Sequence, residues 1–266
     1  MVNKRIFIIT GKGGVGKTIF SLALTKYLRS KGQKVLYNHF DQDPPSSLCD
    51  SLDIPVLKLE EEESLKVYLG KKLHSKNLGS WVIKVPFFHS LFNIIPGLNN
   101  LVILGHLIDK LRDDPELIIV LDSPSSGHVL TLFETTRNFK KIFKTGPLVE
   151  DIYKINKMTK DPEILKTIIL FLPTLMALNE GLELEKKIIS LDYPPPQLVM
   201  NNSFYYRLGE HKGLPEFLQH KIKLEEQVIN WYKKNLGNLE NSIPHVFEEK
   251  AKDIVEKITP YMEALL

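Results

Sequence analysis

The sequence predicts an α/β fold: a single doubly wound, mostly parallel β-sheet with helices on both faces. Two observations carry this prediction. Short runs of Ile, Val and Leu alternate along the chain with longer segments of helical periodicity, an order typical of parallel sheets. A glycine-rich stretch, "GKGGVGKT" at residues 11–18, follows the first apolar run directly. We therefore predict one domain over residues 1–266, a length that allows a substantial core.

The strands are predicted from apolar runs that are too short for helices. Five such runs lie at residues 6–10, 35–37, 117–121, 167–172 and 198–200. Between the first two, apolar residues recur at helical spacing and Gly32 supplies the helix stop. The residues of that helical face are Phe20, Ala23, Leu24, Tyr27 and Leu28.

The remaining segments predict helices and connectors. Residues 87–108 predict buried helices around a Pro-Gly turn, because polar residues interrupt them too often for a membrane span. "EEEE" at 60–63 predicts a solvated helix start, and "SLDYPPP" at 190–196 predicts a stiff connector. The C-terminal segment predicts a helix docked on the core. Its apolar face consists of Phe247, Ala251, Ile254, Val255, Ile258 and Met262.

Composition narrows the possible functions. A net charge of +3 and a pI of about 8.7 are too mild to indicate nucleic-acid binding. Cys49 is the only cysteine, which excludes an internal disulfide and any site needing paired cysteines within the chain. The N-terminal apolar run is too short for a secretion signal, and no apolar run is long enough for a transmembrane segment. We expect a soluble protein of the reducing cytoplasm.

The glycine-rich stretch matches a phosphate-binding motif. Gly11, Gly16, Lys17 and Thr18 satisfy G-x-x-x-x-G-K-[ST] between a predicted strand and a predicted helix. Glycines let backbone N–H groups close around phosphate oxygens, and the helix N-terminus adds its dipole. Lys17 can reach the terminal phosphates of ATP, and the Thr18 hydroxyl can ligate Mg²⁺. The fold is therefore predicted to be that of a P-loop nucleoside triphosphatase. The residues predicted to bind the nucleotide in this loop are Gly11, Lys12, Gly13, Gly14, Val15, Gly16, Lys17, Thr18 and Ile19.

A second motif, "LIIVLDSPSSGH", is expected to complete the magnesium site. Asp122 follows an apolar strand, and Gly127 is expected in the loop after it. An aspartate at a strand end can be a simple turn or cap residue. With a phosphate loop upstream, a role in the magnesium shell is the stronger interpretation.

Lys12 occupies a position that the plain motif leaves free. In this respect the loop resembles the deviant Walker A class, whose members dimerise around nucleotide. The resemblance implies that Lys12 reaches the phosphates bound by a partner subunit and takes part in catalysis with Lys17. The alternative is a lysine that merely faces solvent.

"DQDPPSSLCD" at residues 41–50 resembles the switch I sequence of the ArsA-type ATPases, the arsenite-pump and tail-anchored-protein-targeting family. The resemblance implies that Asp43 positions the attacking water and lies near the metal. Asp41 is the alternative, because it stands at the usual distance from the preceding strand. "DSPSSGH" similarly resembles the family's switch II through Asp122, Gly127 and His128.

Three weaker matches extend the resemblance over most of the chain. "PTLMALNEGLELEKKI" resembles a family helix through Pro173, Leu178 and Glu180. "LVMNN" resembles the family's strand whose final asparagine contacts adenine, which implies that role for Asn201. "IPHVFEE" resembles the family's loop that covers the base, which implies such a loop around Pro244.

The sequence also departs from the family. Ile19 replaces a threonine whose hydroxyl could bond a phosphate oxygen, and His39 and Phe40 replace small residues before switch I. A metalloid site requires several thiolates, which one cysteine cannot supply. A two-cysteine zinc clasp is likewise impossible.

The resemblance implies an ATP- and Mg²⁺-dependent dimer switch that couples its nucleotide state to a client or a membrane-associated partner protein. The subunits could be identical or paralogous. One alternative is a partition or division-site ATPase that acts on DNA or membrane, favoured by Asp41 at that register. Another is a weakly hydrolysing ATP-binding subunit paired with a paralogue.

Overall fold

Six parallel strands form one sheet in the part of the chain that the computed structural model describes. The described residues are 4–40, 43–58, 98–123, 126–142, 147–208, 213–237, 239 and 242–266. The spatial order of the strands is β2-β3-β1-β4-β5-β6. The strands are β1 Ile6–Gly11, β2 Lys34–Asn38, β3 Leu117–Asp122, β4 Leu165–Phe171, β5 Gln197–Ser203 and β6 Ser242–Pro244. Because parallel neighbours need crossover connections, helices cover both faces.

Helices connect the strands in the part of the chain that the structure describes. In chain order they are α1 Lys17–Ser30, α2 Ser46–Ser51, α3 Leu98–Asp113, α4 Ser126–Ile142, α5 Pro147–Thr159, α6 Leu175–Ser190, α7 Tyr205–Leu208, α8 Glu216–Leu236 and α9 Ala251–Ile258, followed by a 3-10 helix at Thr259–Leu265.

Two hydrophobic layers enclose the sheet, as the alternating directions of strand side chains require. In β1, Ile6 and Ile8 face one layer, whereas Phe7 and Ile9 face the other. The first layer includes residues of α3, α4, α5, α6 and α8. The second includes residues of α1, α2 and α9. The predicted α/β class with a parallel sheet covered on both faces is confirmed.

The five predicted strands are present with boundaries shifted by a few residues. The strand β6 was not predicted, because three residues carry no readable periodicity. It pairs with β5 through Met200–Ser242 and Ser203–Pro244 and forms one end of the order. Pro244 suits that edge position, since it has no N–H to offer a further strand.

The connecting predictions had mixed outcomes. Gly32 follows α1 with a φ of 77°, as expected of a helix stop. The proline-rich connector lies between α6 and β5. The first part of the predicted helices at 87–108 and the acidic stretch at 60–63 lie outside the described residues, whereas α3 covers the rest.

The C-terminal prediction was correct except at one residue. The helix α9 and the 3-10 helix after it bury Val255, Ile258 and Met262 in the second layer. Phe247 was wrongly assigned to this face. It precedes α9 and is 54% exposed.

In the described part of the chain, no helix has both the length and the apolarity that crossing a membrane requires.

Candidate functional site

The candidate site lies at the carboxyl edge of the sheet, where the loop after β1 leads into α1. Gly11 has a φ of 142° and Gly16 a φ of 91°. A Cβ at Gly11 would lie 2.4 Å from the Leu170 carbonyl oxygen, and one at Gly16 would lie 2.7 Å from Asn201 Nδ2. Glycine is therefore required at both positions by the backbone conformation and by close packing.

The N-terminus of α1 is open to an anion. Gly16 caps this helix with no side-chain hydrogen bond to its first turn. The unpaired N–H groups and the positive end of the helix dipole thus converge on the loop. This arrangement is typical of phosphate-binding sites.

Lys17 begins α1 and is only 8% exposed. Its Nζ donates a hydrogen bond to the Lys12 carbonyl oxygen at 3.0 Å. Burial lowers the pKa of Lys17, and the charge of Asp122 opposes that shift. The loop thus holds a partly desolvated cation in place, ready to meet phosphate charge.

Asp122 ends β3 and is almost completely buried. Its Oδ2 accepts hydrogen bonds from Thr18 Oγ1 at 2.7 Å and from the Tyr37 hydroxyl at 3.0 Å, and His39 Nε2 lies 3.4 Å from the same oxygen. Burial raises the pKa of Asp122, whereas Thr18, His39, Tyr37 and Lys17 act in the opposite direction. Of the three predicted magnesium residues, Thr18, Asp43 and Asp122, the structure brings Thr18 and Asp122 into direct contact.

This pair fits Mg²⁺. The threonine hydroxyl and the carboxylate are hard oxygen donors, which this ion prefers. The described residues hold no cluster of three or more His, Cys, Asp or Glu side chains that could bind a metal by itself. Mg²⁺ in phosphate-loop proteins takes its other ligands from water and nucleotide phosphates, so a small protein ligand set is what such a site needs.

We expect Asp122→Asn to weaken the Mg²⁺ dependence of nucleotide binding. The amide keeps an oxygen to accept from Thr18 and Tyr37 but loses the charge that favours the metal. The Mg²⁺ concentration for half-maximal nucleotide stabilisation should rise roughly 10- to 100-fold, measured by thermal shift with a slowly hydrolysed ATP analogue. Asp192→Asn is the control, because Asp192 is exposed and has a φ of 63° that asparagine tolerates. An unchanged Mg²⁺ titration for Asp122→Asn would contradict this role.

Switch I is only partly described. Asp43 is exposed, and its backbone carbonyl oxygen lies 2.9 Å from His39 Nδ1. Asp41 lies outside the described residues. The choice between Asp41 and Asp43 as the water-positioning carboxylate stays a prediction.

Three other predicted residues lie in α4, β5 and β6, and one of them departs from its predicted position. Gly127 was expected in a loop but lies in the first turn of α4. Asn201 lies at the end region of β5, where its side-chain Nδ2 donates to the Val15 carbonyl oxygen at 2.8 Å. It thereby braces the phosphate loop, while its role toward adenine stays a prediction. Pro244 lies in β6, at the start of the segment expected to cover the base.

Three aromatic rings form a group directly after β5 and β6. The Phe204 and His245 rings stack with centroids 4.1 Å apart, and Phe247 meets both edge-on. The ammonium of Lys221 lies 4.0 Å from the Phe204 ring centroid. Burial, together with the charges of Lys221 and Arg207, lowers the pKa of His245. Phe204 is buried between His245 and the Lys221 ammonium, whereas Phe247 is 54% exposed.

Sequence reasoning missed the roles of Tyr37 and His39. Tyr37 lies in β2 and His39 follows that strand directly, and both contact Asp122 of β3. The sequence indicated only that His39 replaces a small residue. Their contacts depend on β2 and β3 being neighbours, which no local pattern states.

Lys12 is engaged within its own chain. Its Nζ forms an ion pair with Glu180 Oε1 of α6, and both side chains are partly exposed. The pair lines a cavity of about 220 Å³ between the phosphate loop, β4 and α6. In this arrangement Lys12 is held beside the loop, and the carboxylate of Glu180 neutralises its charge.

A known family of proteins matches more than half of this chain. Residues 4–168, which contain the phosphate loop, β2 and Asp122, match the model of the family described as anion-transporting ATPase. The matched range ends within β4, which spans Leu165–Phe171.

Similar curated proteins carry related names. A putative arsenical pump-driving ATPase 1 of Aquifex aeolicus is 24% identical over 256 residues, covering 85% of this chain and 63% of the relative. A putative arsenical pump-driving ATPase 2 of the same organism is 31% identical over 174 residues, covering 58% of this chain and 57% of the relative. ATPase GET3C of Arabidopsis thaliana is 23% identical, covering 75% of this chain and 67% of the relative. The chain thus spans about three fifths of the length of the two Aquifex relatives.

Proposed function

We propose a function from the premise that this chain belongs to the anion-transporting ATPase family, the ArsA-type ATPases. The chain binds Mg·ATP, hydrolyses it, and uses the nucleotide state to open and close a dimer that binds a client or partner protein. The observation that carries the proposal is the convergence of Lys17, Thr18 and Asp122 at one helix N-terminus.

Each residue of the site has a distinct part in the proposed reaction. The loop N–H groups and Lys17 bind and orient the phosphates, and Lys17 offsets the charge that develops on the leaving oxygen. Thr18 and Asp122 would hold Mg²⁺, which would neutralise charge on the phosphates. Tyr37 donates to Asp122 and fixes its orientation. Asp43 orients the attacking water and accepts its proton.

A direct experiment tests the activity. The purified chain should release phosphate from ATP in a Mg²⁺-dependent reaction, and Mg²⁺ chelation should abolish the release. A preparation that binds Mg·ATP but releases no phosphate, alone or with a partner, would contradict the proposal that it is an ATPase.

The proposed dimer switch depends on Lys12 changing partners. Two facing phosphate loops bring like charges together, and each Lys12 reaching the neighbour's nucleotide would offset that repulsion. In the single chain, Lys12 is paired with Glu180 instead. Closure therefore requires this pair to separate, so Glu180 favours the open form.

We expect substitutions at Lys12 and Glu180 to have opposite effects on the dimer. Lys12→Ala should leave the ATP affinity of the monomer nearly intact but weaken the closed dimer by roughly tenfold or more, because its phosphate contact is charge-assisted. Glu180→Gln should strengthen the closed dimer only a few-fold, since an exposed ion pair contributes roughly 0.2–1 kcal/mol. Sedimentation with a slowly hydrolysed ATP analogue measures both effects.

Glu183→Gln provides the control, because Glu183 lines the same cavity and no described ion pair joins it to Lys12. A Lys12→Ala variant that closes and turns over normally would reduce Lys12 to a surface charge. Weaker closure in Glu180→Gln than in Glu183→Gln would show that Glu180 does not restrain Lys12.

A protein client fits this chain better than a metalloid anion. Cys49 is the only cysteine and is buried, and burial raises the pKa of its thiol to about 11. Such a thiol does not provide the thiolates that a soft metalloid requires. Proteins retained by the ATP-locked chain and released by its ADP form would identify the client class. Selective binding of arsenite by the purified chain would contradict this choice.

A weakly hydrolysing subunit is the second candidate. It is favoured by the position of Asp43, whose side chain is exposed while its backbone contacts His39. If this candidate is correct, turnover by the chain alone will stay near background and will rise when a paralogous subunit is added. Turnover that reaches its full rate without a partner would contradict it.

A further inference from the structure

One face of α8 carries a regular line of exposed apolar side chains. Phe217, Leu224 and Trp231 are 69%, 47% and 38% exposed and lie seven residues apart. Because seven residues make nearly two helical turns, the three side chains form one stripe about 21 Å long. Single exposed apolar residues are ordinary on protein surfaces. Three of them in one line instead form a continuous apolar surface along the helix, on which another helix can pack.

The core does not account for this stripe, because α8 is attached through a different face. Ile222, Val228 and Ile229 are buried. The buried Glu225 accepts hydrogen bonds from Ser203 Oγ and from the Tyr205 N–H, each at 2.9 Å. The helix is thus fixed on the molecule by one side and presents the stripe along another.

The charges beside the stripe favour one kind of occupant. Glu216 and Lys234 lie at opposite ends of α8 and eighteen residues apart, which is five full turns, so they share one flank of the stripe. The exposed Lys223 lies on the same flank, near the middle of the helix. Within the described part of the chain, neither Glu216 nor Lys234 forms an ion pair. A second helix that runs antiparallel to α8 and carries the same two charges would place a lysine beside Glu216 and a glutamate beside Lys234.

We propose that the stripe docks the same stripe of a second copy of this chain, antiparallel and around a twofold axis at Leu224. In that arrangement Phe217 meets Trp231 of the second copy, and each Glu216 lies beside Lys234 of the second copy. In antiparallel helix pairs the same flank of each helix faces the other, so both ion pairs form together. The two copies of Lys223 also face each other beside the axis, and their repulsion reduces this gain. The contact is isologous, as a twofold dimer requires.

This contact is independent of the proposed nucleotide switch and is weak by itself. Stable interfaces bury roughly 1,200–2,000 Å² in total, more than three side chains on each copy provide. We therefore expect a concentration-dependent association that occurs without nucleotide and with Lys12→Ala.

Cysteine cross-linking tests the twofold position. Leu224→Cys places a thiol on the proposed axis, and the parent's Cys49 is buried and does not interfere. Mild oxidation without nucleotide should give at least tenfold more disulfide-linked dimer than the control Asn230→Cys, an exposed position on another face of α8. Equal cross-linking of the two variants would overturn the proposal.

Charge reversal tests the direction of the helices. In the Leu224→Cys background, Glu216→Lys or Lys234→Glu alone should reduce cross-linking several-fold, and the two together should restore it. Failure of the pair to restore it would overturn the antiparallel arrangement.

Removing the apolar anchors separates a second copy from a membrane. Phe217→Ser with Trp231→Ser should raise the midpoint of concentration-dependent dimerisation roughly tenfold or more. An unchanged midpoint would overturn the proposal. A different result would also overturn the proposal. If the parent floats with phosphatidylglycerol vesicles and this variant does not, the stripe binds an anionic membrane.

Discussion

Replacing Lys17 with alanine is expected to remove tight binding of Mg·ATP. Lys17 is 8% exposed, and its ammonium is already held against the loop by the Lys12 carbonyl oxygen, so it meets the phosphates with little reordering. A charged hydrogen bond of this kind contributes roughly 3 kcal/mol at most by itself, which corresponds to roughly a hundredfold in affinity. Loss of the compensating charge beside the β- and γ-phosphates increases the effect further.

Isothermal titration calorimetry with a slowly hydrolysed ATP analogue measures this loss. Lys26→Ala is the matched control, because Lys26 lies on the same helix and pairs with Glu256 at the surface at 3.0 Å. Circular dichroism should show both variants folded, since Lys17 makes one hydrogen bond that the fold can lose. If Lys17→Ala bound Mg·ATP as well as the parent does, the phosphate-loop interpretation would be wrong.

The second large effect is expected at Asp43. Asp43→Asn should keep the affinity for Mg·ATP within about threefold while slowing hydrolysis by roughly 10²–10⁴-fold, because an amide orients water but accepts its proton poorly. Single-turnover phosphate release separates this effect from binding. Asp53→Asn is the control, since Asp53 is exposed and its φ of 53° suits asparagine.

Asp41→Asn distinguishes the two possible registers of switch I. If Asp41→Asn binds Mg·ATP without hydrolysing it and Asp43→Asn stays active, the water-positioning carboxylate is Asp41, two residues before the predicted one. The His39 Nδ1 contact at the Asp43 carbonyl oxygen involves only the backbone, so Asp43→Asn should leave that contact in place.

The sequence predicted most of the central fold, because buried parallel strands leave local patterns. β1 and β3 read as continuous apolar runs, since both of their faces are buried. The short strand β6 could not be read this way, since its place at one end of the sheet depends on pairing with β5. Gly127 was misplaced because glycine has a low helix propensity, so its place in the first turn of α4 is not indicated by its residue type.

Within the site, the sequence by itself determined the phosphate loop and its chemistry. Gly11 and Gly16 are required by local backbone conformation, and Lys17 and Thr18 follow them in fixed order at the start of α1. Asp122 was also readable, because a carboxylate at the end of a buried strand leaves a local signal. These features depend on residues close together in the chain.

Only the tertiary structure decided which distant side chains complete the site. Tyr37 and His39 contact Asp122 because β2 lies next to β3, and Asn201 braces Val15 because β5 ends beside the phosphate loop. The pairing of Lys12 with Glu180 likewise joins residues 168 positions apart. Such contacts arise from the order of strands in the sheet, and a sequence pattern that reports only near neighbours does not contain that order.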